Sequence, residues 1–267
     1  MKETMIEGLA GPIHVVEAGS GEGIPVLFAH AFAGSSTQWS PQLNHESETR
    51  RAVAIDFHGH GRSDASTHAP YDIASFADDI QAAADGLDLD RFVIVGHSLG
   101  GAAAIKHAAD YPNRVAGLVL VATPGRMPDA QVAGVRRALD TDYTGTMAGI
   151  WKRLLANATP ATRRTVEGES DKISEKVARA IIAATFEFDP VLDLESYAGP
   201  RLTISTPPDG PVQDLSALVR GVDHETVEGT SHWIQLDDPD RFNAILDAFL
   251  ERVDAAETRT PAGAAKA

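Results

Sequence analysis

Ser98 is the residue whose setting most directly suggests chemistry, because glycines stand two positions to either side of it in Gly96-His97-Ser98-Leu99-Gly100. The apolar run Phe92-Val93-Ile94-Val95 leads into this segment and Ala102-Ala103-Ala104-Ile105 leaves it, a strand, turn and helix in sequence. A serine at the apex of such a turn takes a strained backbone, and side chains two residues away would collide with it, so the flanking glycines push the hydroxyl into open space. The helix starting there turns its free N–H groups and positive dipole end toward the reacting centre, which makes the Leu99 amide a natural oxyanion donor. A phosphate-binding loop would need Gly-Lys-Ser/Thr after the glycines, and Gly100-Gly101-Ala102 does not supply it. A serine hydroxyl attacks at neutral pH only when a base takes its proton, and the chain offers 10 histidines for that role but no cysteine, which excludes thiolate nucleophiles and disulfides.

Elements that could position such a site alternate along most of the chain. Short apolar runs at 13–17, 25–30, 52–57, 92–95, 118–122, 202–205 and 225–227 read as strands, and helical periodicity follows at 71–86, 99–111, 212–220 and 239–253. The central runs are continuously apolar, as strands covered on both faces should be. These patterns predict an α/β fold with a mostly parallel central sheet and helices on both faces. From 127 to 188 no strand pattern occurs, while 132–139, 147–155 and 173–184 read as helices. That stretch is expected to be an inserted helical cap, with residues 1–126 and 189–256 forming the core and 257–267 a disordered tail of Thr, Ala, Gly, Pro and Lys.

Composition narrows the function. The chain has 267 residues, 43% of them hydrophobic, and a formal net charge of −15, which argues against tracking nucleic-acid phosphates or adhering to an anionic membrane. A neutral or cationic small molecule fits better as partner. The first residues, Met1-Lys2-Glu3-Thr4-Met5-Ile6-Glu7, carry no basic and apolar leader pattern, so a cytoplasmic protein is expected. Nothing at this level speaks to oligomeric state.

With Gly96–Gly100 as anchor, the stretch from about Gly19 to Leu250 resembles the α/β-hydrolase fold superfamily. His30-Ala31-Phe32-Ala33-Gly34 is similar to the family's oxyanion loop with Ala31 where glycine is usual, and Asp56-Phe57-His58-Gly59-His60-Gly61-Arg62-Ser63 to the turn after its next strand. Gly229-Thr230-Ser231-His232-Trp233 followed by Asp237-Asp238-Pro239 is similar to its base loop. The resemblance implies Ser98 as nucleophile, His232 as general base, and the Phe32 and Leu99 amides as oxyanion hole. His224, the other downstream histidine, reads as a strand-end residue. For the acid that orients the base, the resemblance implies Asp209, which follows the strand at 202–205 in an atypical loop containing Pro207 and Pro208; Asp214 and Asp129 are the alternatives. It also implies hydrolysis of an ester, lactone or thioester with no cofactor and no metal, and substrate contacts from Trp151, Tyr143, Phe186 and Trp233. Serine at the apex excludes the aspartate-nucleophile branches; carbon–carbon bond hydrolases, cofactor-free perhydrolases and hydrolase-like small-molecule receptors share the same residues and stay open. His58 and His60 with Asp64 suggest paired metal-binding histidines, but their spacing does not complete a ligand set, and a tight turn is expected instead. Gly19-Ser20-Gly21-Glu22-Gly23 joins two strands and opens no helix, so it is no dinucleotide loop.

Overall fold

The computed structural model describes residues 1–63, 69–207 and 214–258. Its strands are β1 (Lys2–Gly8), β2 (Gly11–Ala18), β3 (Gly23–Ala29), β4 (Arg50–Ile55), β5 (Phe92–His97), β6 (Val115–Val121), β7 (Arg201–Ser205) and β8 (Asp223–Thr226). They form a single sheet in the order β1-β2-β4-β3-β5-β6-β7-β8. β1 and β2 pair antiparallel with each other and β2 antiparallel with β4, while the remaining pairs are parallel. The fold class is therefore α/β, as the alternation of runs predicts.

The helices are α1 (Ser40–Glu46), α2 (Ile73–Gly86), α3 (Leu99–Asp110), α4 (Asp129–Thr141), α5 (Tyr143–Leu154), α6 (Pro160–Ser170), α7 (Glu175–Glu187), α8 (Pro190–Ser196), α9 (Leu215–Leu218), α10 (Ile234–Asp237) and α11 (Pro239–Glu257). Alternation along the central strands sends side chains to two separate cores. Leu27, Ala29, Val53, Ile55 and Ile94 pack on one face with Phe76 and Ile80 of α2 and Ile105 of α3. Val26, Phe28, Ala52, Ala54, Val93 and Val95 pack on the other with Leu43 of α1 and Phe242, Leu246 and Phe249 of α11. Burial on both faces explains why these strands lack polar alternation. Among the described residues no helix is long and apolar enough to cross a membrane.

Four departures from the sequence expectation have physical reasons. β1 shows no apolar alternation because only Ile6 is buried; it is held by backbone pairing to β2 at the sheet edge. α6 is polar, burying Thr162 and Val166 alone among its residues, but Thr159 caps it and Pro160 opens it. The helix expected at 212–220 appears as the short α9, residues 212 and 213 lying outside the described ones. α11 runs through Glu257, which pairs with Arg91, so residue 257 is helical; the rest of the expected tail, from 259 on, lies outside the described residues.

His107 of α3 is fully buried against Phe92 and Tyr111, its Nε2 3.0 Å from Gln81 Oε1. Burial, reinforced by the Arg114 guanidinium, pulls its pKa down to about 4. The unfolded chain, with a histidine pKa of about 6.5, binds more protons than the folded one between those values, so stability present above that window is lost as pH falls through it. For His107 the loss approaches about 3 kcal/mol below pH ~4. Thermal unfolding followed by circular dichroism should show Tm dropping steeply from pH 6.5 to 4.5, with a shallower drop in His107→Gln; an equal slope in both would remove His107 from the acid response.

Candidate active site

The parallel register sets Ala29 of β3 beside Gly96 of β5, so the loop after β3 and the turn after β5 leave the same edge of the sheet side by side. At that turn Ser98 has φ +52° and ψ −108°, and its N–H donates to Val121 O at 2.9 Å. A Cβ on Gly96 would come within 2.4 Å of Gly100 O, and one on Gly100 within 2.3 Å of Ala29 O. Neither glycine has room for a side chain, so the turn is closed by backbone-to-backbone packing. The Ser98 hydroxyl has no hydrogen-bond partner among the described residues.

The β3 loop is fixed by two buried polar residues. His30 is fully buried; its Nδ1–H donates to Ala31 O at 2.7 Å and its Nε2 accepts the Phe57 N–H at 3.0 Å. Burial holds its pKa below the usual histidine range despite nearby Asp56, so the ring is neutral with its tautomer set by these partners. Gly34 N–H then closes on Ala31 O at 3.0 Å, with Ala33 at φ +58° and Phe32 at the bend. The amide N–H groups of Phe32 and Leu99 have no acceptor among the described residues. Asp56 ties this loop to its neighbour, Oδ1 accepting Ser36 N–H at 2.5 Å and Oδ2 accepting Arg62 N–H at 2.9 Å.

His232 lies in the loop between β8 and α10. Its ring centroid is 4.8 Å from that of His97, the residue preceding Ser98, which brings the loop to the serine turn. Burial pulls the His232 pKa down to about 4, with the Arg153 guanidinium adding to the effect. The loop is braced from behind: Asp237 Oδ2 accepts both Ser231 N–H at 2.8 Å and Ser231 O–H at 2.5 Å, and its Oδ1 accepts Thr159 N–H at 2.8 Å. His232 N–H donates to Leu154 O at 3.1 Å, so α5 touches the loop directly.

Trp151 of α5 stacks between the two loops, 6.0 Å from Phe32 on one side and 6.1 Å from Trp233 on the other. Trp233 itself is buried, and its indole N–H donates to Gln38 Oε1 at 3.1 Å, making it a wall behind His232. Tyr143 and Phe186 pack instead on the Leu139, Met147 and Ile182 cluster, which Phe32 and Trp151 also touch. Phe186, Leu139 and Ile182 line a cavity of about 280 Å³ between α4 and α7. Ser98, His232, Phe32, Leu99, Trp151 and Trp233 thus come together, while Tyr143 and Phe186 stand one layer further out.

Asp209 lies outside the described residues, as does Asp64. Of the alternative acids, Asp129 is exposed at the start of α4. Asp214 caps α9 and sits 3.3 Å from His224 rather than beside His232. His58 and His60 do not converge on a common point: His58 contacts Asp79 at 2.7 Å and Pro70 O at 3.2 Å, and His60 Nδ1 lies 3.2 Å from His58 O. Among the described residues His45, Glu46 and Asp247 form the one cluster spaced for a cation, but Glu46 already pairs with Arg50 at 3.0 Å and His45 with Asp247 at 2.9 Å. Sequence reading did not find Gln38, Glu169 or Asp237. For Asp237 a signal existed, an acidic residue ahead of the helix-opening Asp238-Pro239; the others sit in a short turn and a polar helix with no motif around them.

Residues 24–150 match the family model described as alpha/beta hydrolase fold. A Caulobacter vibrioides protein named "Putative carbamate hydrolase RutD" is 30% identical over 85% of this chain and 90% of its own length. The esterase EaEST from Exiguobacterium antarcticum superposes with a TM-score of 0.81 at 21% identity, covering 94% of this chain and 100% of its own. Est816, titled as an N-acyl homoserine lactone degrading enzyme, superposes with a TM-score of 0.78 at 25% identity, covering 92% and 100%. With glycines packed shut around a serine turn, and a relative of this similarity along nearly its whole length, the chain belongs to the alpha/beta hydrolase fold family and is a hydrolase.

Proposed function

We propose that this hydrolase cleaves a carboxylic ester, lactone or thioester of small to medium size through an acyl-enzyme on Ser98. What carries the reading is Ser98 held at φ +52° between two uncommitted amides, one residue from a His97 ring that lies 4.8 Å from His232. His232 takes the Ser98 proton as Oγ bonds to the substrate carbonyl carbon, and the Phe32 and Leu99 amides receive the oxyanion. His232 then returns that proton to the leaving oxygen or sulfur as the bond to it breaks. Water, deprotonated by the same imidazole, attacks the acyl-enzyme and frees Ser98. Asp209 holds the His232 tautomer and stabilises the imidazolium. Helices α4 to α7 act as a cap over this centre, with Trp151 against the reacting carbonyl's neighbourhood and Phe186 in the outer cavity selecting the apolar part of the substrate. Carbamates carry the same electrophilic carbonyl, and the likeness to the Caulobacter protein supports including them among the substrates tried.

The deciding experiment is turnover of p-nitrophenyl acetate and butyrate beside a panel of lactones, thioesters, carbamates and vinylogous diketones. Multiple turnovers are expected on at least one ester, with Ser98→Ala lower by roughly 10⁶ in kcat. Activity surviving in Ser98→Ala would overturn the mechanism, and a stoichiometric burst without turnover would indicate a receptor.

A base must be neutral to accept a proton, so a pKa lowered by burial and Arg153 moves the acid limb of kcat/KM to lower pH, below the value of about 6.5 of an unperturbed histidine. As the acid of the proposed triad, an ionised Asp209 would oppose that lowering. Asp209→Asn should therefore lose roughly 10⁴ in kcat and carry its residual acid limb at lower pH than the wild type. Unchanged turnover, or a limb shifted upward, would assign the acid to another residue.

A further inference from the structure

The cap and the base loop are joined by a line of hydrogen bonds, running from the surface at Thr37 to the buried Trp233, that the catalytic scheme does not use. Glu169, near the end of α6, turns its carboxylate onto the turn that follows the oxyanion loop. Oε1 accepts the Ser35 hydroxyl at 2.5 Å and also the Thr37 hydroxyl, and Oε2 accepts Gln38 Nε2–H at 2.6 Å. Gln38 is fully buried, and its other amide atom, Oε1, accepts the Trp233 indole N–H at 3.1 Å. The direction of this relay is fixed by chemistry: an indole only donates and a carboxylate only accepts, so Gln38 has one orientation that satisfies both. Trp233 adjoins His232 in the chain and stacks on Trp151, which stacks in turn on Phe32. Both walls of the catalytic centre, the base loop and the oxyanion loop, thus rest on one aromatic column whose buried end is set by Glu169.

We propose that Glu169 is a positioning residue, holding Gln38 and through it Trp233, so that docking of α6 on the core fixes the reactive placement of His232. The proposal rests on His232 being the base. A carboxylate suits the task because it gathers three charge-assisted bonds at one point, whereas a neutral side chain without acceptors would leave the Gln38 amide free to turn. Glutamine can serve in its place: its oxygen accepts from Gln38, and its NH₂ donates to hydroxyls that rotate to accept.

The test compares Glu169→Ala and Glu169→Gln with Glu167→Ala, an exposed neighbour on the same helix that pairs with Arg163. The readouts are kcat and KM on the best ester and the near-ultraviolet circular dichroism of the coupled Trp151–Trp233 pair. Glu169→Ala should lower kcat roughly ten- to a hundredfold with a smaller change in KM and a weakened tryptophan signal. Glu169→Gln should restore most of both, and Glu167→Ala should match the wild type. Trp233→Phe, which keeps an aromatic ring but deletes the indole N–H, should show a comparable kcat loss that does not add to that of Glu169→Ala. A Glu169→Ala enzyme with lowered Tm but unchanged kcat and tryptophan signal would overturn the proposal, as would a Glu169→Gln no better than alanine. Should Glu169→Ala fail to fold, wild-type kcat in Trp233→Phe would overturn it instead. If no substrate is turned over by the wild type, the reading of Ser98 fails separately, while the tryptophan signal still decides whether Glu169 sets the column.

Discussion

Everything at the reacting end of the sheet depends on one serine holding a backbone conformation that serine disfavours. A non-glycine residue at φ +52° carries strain of about 1–3 kcal/mol and persists only where its surroundings overdetermine it. Here the overdetermination is steric. Gly96 packs against Gly100, and Gly100 against the carbonyl of Ala29, so β3, β5 and α3 meet with no side chains between them. Relaxing Ser98 would separate backbone that is packed in direct contact. The same contact carries the β3 loop to the serine, so the Phe32 and Leu99 amides and the Ser98 hydroxyl owe their placement to one close approach.

A second constraint is electrostatic. His30, His60 and His97 are buried around the site, and burial holds each of them below the ordinary histidine range. Neutral imidazoles keep their tautomers, and a neutral ring can both donate and accept. That is the use made of His30, which bonds Ala31 O on one side and the Phe57 amide on the other. The buried carboxylates of Asp56 and Asp79 are paired, Asp56 with the Ser36 and Arg62 amides and His14, Asp79 with the amide and ring of His58. His232 is held low in the same way, by its own burial and by the Arg153 guanidinium.

What could be read in advance follows from where each signal is stored. Central strands such as β5, continuously apolar over Phe92–Val95, are so because two helix layers cover them, and the serine turn is legible because two close approaches demand glycine at fixed spacing. β1 and α6 are held by pairing and by polar contacts at their edges, which leave no periodicity. Gln38 and Glu169 escaped for a related reason: their roles come from meeting across 131 positions of sequence, and neither carries local chemistry that marks it. The His232 loop is legible through the residues around it, and Asp237 is marked there only as the acid ahead of Asp238-Pro239; its bracing role comes from Ser231 and Thr159 sharing its two oxygens.

The division between sheet and helical segment also divides the work. Strand ends fix atoms whose relative positions must be held to a fraction of an ångström, and backbone packing at glycine does this without adjustable side chains. Helices α4 to α7 contribute chiefly side chains: Trp151 between two aromatic residues, Phe186 and Ile182 along a cavity, and Glu169 across to Gln38. Side-chain contacts can be exchanged one at a time without moving the serine, so the helical segment can vary while the geometry at the strand ends stays. The exception is the set of contacts reaching the base loop, His232 N–H to Leu154 O, Thr159 N–H to Asp237 and Gln38 to Glu169. These tie α5 and α6 to the loop of His232, and they confine variation in the segment to the faces of α4 and α7 that those contacts leave free.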